Sequence, residues 1–168
     1  MSDLSAGEPQ SGDRRLDPRF VPYSRLGSLI GMLILAAFSV PPTIGFWVAW
    51  PARMGWIALA WFGLLGLLLL RAWIWAGVRY RHIFWRLDDN GLRIRRGVWW
   101  RSVTSVPRSR VQHTDVSQGP IERRFGLATL TVYTAGTQHA SVPLAGLEHE
   151  QALAVRDVLL EGDDDDAV

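Results

Sequence analysis

The sequence predicts an α+β membrane protein: an N-terminal two-helix transmembrane hairpin, then an antiparallel β sandwich or barrel capped by a C-terminal helix. Three observations predict it. Two long apolar stretches lie between residues 26 and 78. Alternation of period two, punctuated by glycine turns, begins just after them. A final stretch, residues 147–160, returns to helical periodicity and stops at Gly162.

The first apolar stretch, residues 26–50, carries no charge in 25 residues and is bracketed by Arg25 and Arg53. A helix needs roughly 20 apolar residues to cross a bilayer. The second, residues 54–78, is interrupted only by Arg71, near enough to its end to snorkel to the interface. Leu64, Leu65 and the four leucines at 67–70 make its centre strongly apolar. The link is Pro51, Ala52 and Arg53, so short that the second helix must return antiparallel. Trp47, Trp50 and Trp56 gather at that turn and Trp73 and Trp75 at the other end, forming two interfacial belts. Gly63 and Gly66, with Ala58 and Ala60, offer a small surface for close packing inside the hairpin or against another subunit.

Arginine bias sets the orientation. Arg14, Arg15, Arg19 and Arg25 precede the first span; Arg71, Arg79, Arg81 and Arg86 close or follow the second; the turn holds Arg53 alone. Positive-inside then puts both termini in the cytoplasm. Residues 1–25 form a flexible cytoplasmic arm, 26–78 the hairpin, 79–162 the β-rich domain and 163–168 an acidic disordered tail. A signal peptide is a poor alternative, because the apolar run is too long, has no small-residue cleavage pattern and is followed by a second. A soluble helical hairpin would need a partner to cover helices apolar on every face. Pro41 and Pro42 remove two donors mid-span and should kink or break the first helix, although membrane helices tolerate proline.

In the domain, Ile83, Trp85 and Leu87 alternate with Phe84 and Arg86 as a strand. Asp88-Asp89-Asn90-Gly91 is a hairpin turn. Leu92 and Ile94 then alternate with Arg93 and Arg95, and Gly97 turns again. Short strands follow at 98–100 and 103–106, then 111–117, 127–134 and 139–142, seven in all, before the helix. Candidate buried positions of that helix are Leu147, Ala154, Val155, Val158 and Leu159.

There is no cysteine, which excludes disulfides, thiolate chemistry and cysteine zinc sites. All 18 basic residues are arginine. Twelve of them fall in residues 71–124 against four acids, whereas residues 157–168 hold six acids and no base. His113, Asp115 and Ser117 share a strand face, but there is no nucleophile elbow, so catalysis gains no support. His82, His113, His139 and His149 lack metal-ligand spacing, and no metal, cofactor or catalytic site is expected. Trp99 and Trp100 among arginines suggest stacking on single-stranded nucleic acid, yet a membrane anchor argues against it; one indole should point inward and one outward.

The motifs Gly91-Leu92-Arg93-Ile94-Arg95-Arg96-Gly97, Pro107-Arg108-Ser109-Arg110-Val111-Gln112-His113, Gln118-Gly119-Pro120-Ile121-Glu122-Arg123-Arg124-Phe125-Gly126-Leu127-Ala128-Thr129-Leu130 and Thr134-Ala135-Gly136, in that order, resemble the bacterial pleckstrin-homology (PH-like) membrane proteins, and within them the short YdbS-like branch. The resemblance covers residues 26–161. It implies a PH-like fold of two roughly orthogonal antiparallel sheets capped by a helix. It also implies residence in the bacterial inner (plasma) membrane as a multi-pass protein, and a partner: a related protein with several such domains, or a second copy. It implies no reaction, and fold does not confer one.

The resulting expectation is a non-enzymatic membrane-anchored PH-like module, a subunit or scaffold of a membrane complex. The alternative is a module that senses anionic lipid or membrane stress. Candidate lipid or partner contacts are Arg79, Arg81, Arg93, Arg95, Arg96, Arg108, Arg110, Arg123 and Arg124. The competing reading of the same residues is topology signalling plus solvated strand faces. The anchor itself is directly testable. Alkaline carbonate should leave the protein in the vesicle pellet, and tags at either terminus should be unreachable from outside intact cells.

Overall fold

The computed structural model describes residues 12–49, 51–135 and 141–160. Two compact units are present: residues 24–77, and residues 1–23 with 78–168. The first unit is helical. Helix α1 is Phe20–Ala49 and α2 is Pro51–Arg81. Both are longer than the apolar runs alone required, and the stretches Phe20–Ile44 and Gly55–Arg81 are each long and apolar enough to cross a membrane. Among the described residues, many large apolar side chains of α1 and α2 are exposed, including Leu33, Phe38, Leu59, Phe62 and Leu67. Such faces are stable only in hydrocarbon or under another apolar surface.

Two contacts show that the helices run antiparallel. The Trp61 Nε1–H donates to Ser39 Oγ at 3.1 Å, and the Arg25 guanidinium lies 4.6 Å from the Trp73 ring centre. Helix α1 passes through Pro41 and Pro42 without ending, so the prolines do not break it. Ser39 and Thr43 turn their hydroxyls back onto the Ala36 and Val40 carbonyls at 2.7 Å, which satisfies polar groups that lipid cannot. Ala58 and Ala60 line an open groove with Leu35, Phe38 and Pro42 of α1. Gly63 and Gly66 do not serve close packing inside the hairpin, since nothing lies within 4 Å of where their Cβ atoms would be. The Trp47 and Trp50 belt falls outside the described side chains.

The second unit is the β-rich domain. Strands β1 (Arg14–Arg15), β2 (Ile83–Asp88), β3 (Gly91–Arg96) and β4 (Ser102–Pro107) form one antiparallel sheet in that order. Strands β5 (Val111–Ser117), β6 (Leu127–Thr134) and β7 (Ser141–Glu148) form a second. The sheets are separate, so the fold is an open pair and not a closed barrel. Helix α3 (Pro120–Phe125) sits between β5 and β6, and α4 (His149–Leu160) packs on β5, β6 and β7. The α4 helix starts two residues later than its periodicity suggested, because Leu147 belongs to β7. It buries Ala152, Val155 and Leu159, while Ala154 faces solvent. One core unites Trp85, Leu92, Ile94 and Val106 of the first sheet with Leu127, Leu130, Val132, Val142, Leu144 and Leu147 of the second.

The β2–β3 turn needs its glycine. Gly91 has φ +128°, and a Cβ there would stand 2.1 Å from the Val106 carbonyl oxygen of β4. On β5 a register irregularity between Val111 and His113 shifts the alternation. Val111 therefore packs on the core with Thr114 and Val116, leaving His113, Asp115 and Ser117 outside.

Two expectations fail. Residues 98–100 are not a strand but the tip between β3 and β4. The described part of the N-terminal arm, from residue 12 on, is not a free tether. Arg14 pairs with Trp85 and Arg15 with Phe84. Leu16 and Phe20 enter the core, and the Asp17 N–H donates to the Gly146 carbonyl at 3.0 Å. The reason is hydrophobic: charge alone marks this segment as polar, whereas two apolar residues four apart bury in the domain. Residues 1–11 and the acidic tail lie outside the described residues, as does the start of the strand expected at 139–142. Leu16→Ala should cost about 2–4 kcal/mol of domain stability, read as a lowered unfolding midpoint of the full chain in detergent. An unchanged midpoint would restore the free arm.

Candidate functional site

The arginines expected to form one basic face are sorted by the fold into different environments. Strand β3 places Arg93 and Arg95 on the outer face of the first sheet, opposite Leu92 and Ile94 in the core. Arg93 is exposed. Arg95 is not. Its side chain is 7% exposed and its Nη1 lies 3.3 Å from Asp13 Oδ2, whose own side chain is 2% exposed. Arg95 is thus withdrawn from any lipid or partner by a residue of the N-terminal segment. Asp13 was invisible as a functional partner in the sequence, since it lies 82 residues away.

Arg79 and Arg81 end α2, both exposed. Arg96, the last residue of β3, is half-buried and donates to the Pro143 carbonyl of β7. Burial pushes its pKa down, and the charge of Arg79 pushes it further in the same direction. Arg108 and Arg110 occupy a single 3₁₀ turn after β4, Arg108 half-buried and Arg110 exposed.

Arg123 and Arg124 sit in the last turn of α3, both exposed. The loop that carries them is tightly fastened. Glu122 accepts the Gly119 N–H and the Thr129 hydroxyl, each at 2.8 Å. The Gln118 amide donates to the Leu127 carbonyl at 2.7 Å. Gly126 ends the helix in the left-handed region and accepts the His149 N–H at 3.1 Å. Most of this motif is therefore structural, and the two arginines are what it leaves outside.

His113, Asp115 and Ser117 are exposed on β5, and His113 stacks near Tyr133 with ring centres 5.4 Å apart. No hydrogen bond joins the three. Among the described residues, no group of three or more His, Asp or Glu side chains converges to hold a metal.

Sequence reading missed the β3–β4 tip. Trp99 and Trp100 are 85% and 91% exposed, so neither points inward. The available signal was Gly97 followed, five residues on, by a strand as long as β3: a hairpin with both tryptophans in its loop.

A family profile described as Bacterial PH domain matches residues 21–162, which take in both apolar helices and the β-rich domain. The chain belongs to the bacterial PH-domain family. This PH-domain protein is also similar to the UPF0699 transmembrane protein YdbS of Bacillus subtilis (strain 168). The two are 32% identical over 139 residues, covering 77% of each chain. No solved structure matches it. It is accordingly a membrane-associated PH-like module, with two helices of membrane-crossing length.

The Arg95–Asp13 pair and Arg93 should respond differently to substitution. Asp13→Ala removes a buried acidic partner of Arg95 and should destabilise the domain by about 3 kcal/mol. Arg93→Ala should change stability by less than about 0.5 kcal/mol. Thermal unfolding of the two variants beside the parent chain measures the contrast.

Proposed function

We propose that this PH-domain protein is a non-enzymatic subunit of a membrane complex that joins a related membrane protein, or a second copy, through the outer edge of β4. The observation that carries this reading is the unprotected state of that edge. Exposed edges are normally blunted by charge, shortness, proline or bulges. The β1 edge has two residues, both arginine. The β5 edge has a register irregularity and Asp115. The β7 edge has Pro143, Glu148 and an irregularity in its pairing with β6. By contrast β4 runs six residues, Ser102–Pro107, in unbroken register with β3, carries no charge and meets proline only at its last position. Among the described residues no strand pairs on its far side. A strand from another domain would satisfy those backbone groups by β-addition.

The arginine bias supports both termini and the domain facing the cytoplasm, which keeps the edge open to another cytoplasmic domain. A second reading, attraction to anionic headgroups, is favoured by Arg79 and Arg81, exposed at the end of α2.

Val103 and Ser105 are both exposed on β4, so lysines there should block pairing without touching the core. The full chain purified in mild detergent, alone and after co-expression with a multi-domain relative, should elute as an assembly. Val103→Lys with Ser105→Lys should reduce it to a monomer with an unchanged unfolding midpoint. A parent protein that is strictly monomeric and unaccompanied in both preparations overturns the proposal.

A further inference from the structure

Among the described residues, the loop at 97–101 carries the most exposed large apolar side chains of the domain. Arg96 and Ser102 are the last paired residues of β3 and β4. Gly97, with φ +148°, brings the chain so close to itself that a Cβ would stand 2.2 Å from the Trp100 carbonyl oxygen. That fold-back presents Trp99 and Trp100 outward. Their exposures of 85% and 91% exceed those of every described large apolar side chain on the helices. Two neighbouring indoles held in water are unfavourable, so the tip has an apolar destination.

The base of the tip says where that destination lies. The Gly97 N–H donates to the His82 carbonyl at 3.2 Å. His82 is the residue after α2, and its own N–H donates to the Arg79 carbonyl at 3.2 Å. The tip is therefore tied to the point where the chain leaves the apolar stretch Gly55–Arg81. Charge is arranged to match. Arg79, Arg81 and Arg101 are exposed at this end of the sheet. The acids Asp88 and Asp89 sit at the β2–β3 turn, the opposite end of six-residue strands, roughly 17–20 Å away.

We propose that Trp99 and Trp100 form an interfacial anchor. The β3–β4 tip seats both indoles at the headgroup level of the phospholipid bilayer that α2 enters, with Arg79, Arg81 and Arg101 on lipid phosphates. Tryptophan favours this zone because its ring is apolar and its N–H remains wet. The anchor fixes the domain with the tip end of its first sheet down, independently of assembly through β4.

The chain has no cysteine, so single-site labelling is clean. Trp100→Cys, with Trp99 retained, and Asp115→Cys on the exposed face of β5 each receive an environment-sensitive fluorophore in the full chain. Both are reconstituted in phosphatidylcholine vesicles, with and without phosphatidylglycerol. The label at position 100 should emit to the blue of that at 115, be quenched by headgroup-level nitroxide lipid, and be several-fold less accessible to iodide. These differences should persist in phosphatidylcholine alone and in the Val103→Lys, Ser105→Lys background. Equal iodide access at the two positions overturns the proposal. So does protection at 100 without nitroxide quenching, which would mean that protein covers the tip. Protection that vanishes without phosphatidylglycerol also overturns it, since arginine attraction alone would then hold the tip near lipid.

Discussion

The chain enters and leaves its apolar hairpin on the same side, and the architecture of the domain depends on that. Two long helices with no charged residue in their central stretches cannot rest in water. Because they return antiparallel, the segment before the first and the segment after the second belong to one folded unit. Arg14 and Arg15 can then pair with β2, and Leu16 and Phe20 can join a core otherwise built from residues beyond 82. The hairpin is in effect a long loop inserted between the first strand of the domain and its second. Closing such a loop with a rigid insert costs far less than closing a flexible chain of equal length.

The same closure decides which arginines are available. Asp13 arrives with β1 and neutralises Arg95 in a site both side chains share with almost no solvent. A buried pair of this kind adds little net stability over an apolar pair, but it is costly to break. It therefore fixes how the N-terminal segment lies on the sheet. Arg96 is likewise engaged, by the Pro143 carbonyl. Exposed guanidiniums remain on β1, on the outer face of β3, at the end of α2, beside the β3–β4 tip, after β4 and on α3. A basic sequence has become several small basic surfaces, and the one at the end of α2 is tied through His82 to the tip that carries the exposed aromatic pair.

Much of this was legible from residue order. The hairpin, the Asp88–Gly91 turn, five of the seven strands as bounded elements and the closing helix all follow from local periodicity and turn chemistry. The resemblance in the 107–136 motifs pointed to the family that the profile match establishes. What was misread shares one cause: each case needed a contact between residues far apart. Trp99 and Trp100 look like strand residues until Arg96 is seen to pair with Ser102. Strict alternation puts Val111 on the face of His113, and only the irregularity between them separates the two. Ala154 looks buried until the sheet beneath α4 selects Ala152 instead.

By itself, then, the sequence determined what each stretch prefers: hydrocarbon for the two apolar runs, extended chain for the alternating ones, turns at Gly91, Gly97 and Gly126. These are properties of a few neighbouring residues, because backbone sterics and transfer free energies act locally. Only the tertiary structure decided which arginines face outward, which strand edge is left unprotected and where the tryptophan pair stands. Exposure and ion pairing are set by what packs on a residue from elsewhere in the chain, and no local pattern records that Asp13 lies against Arg95 or that Gly97 is held by His82.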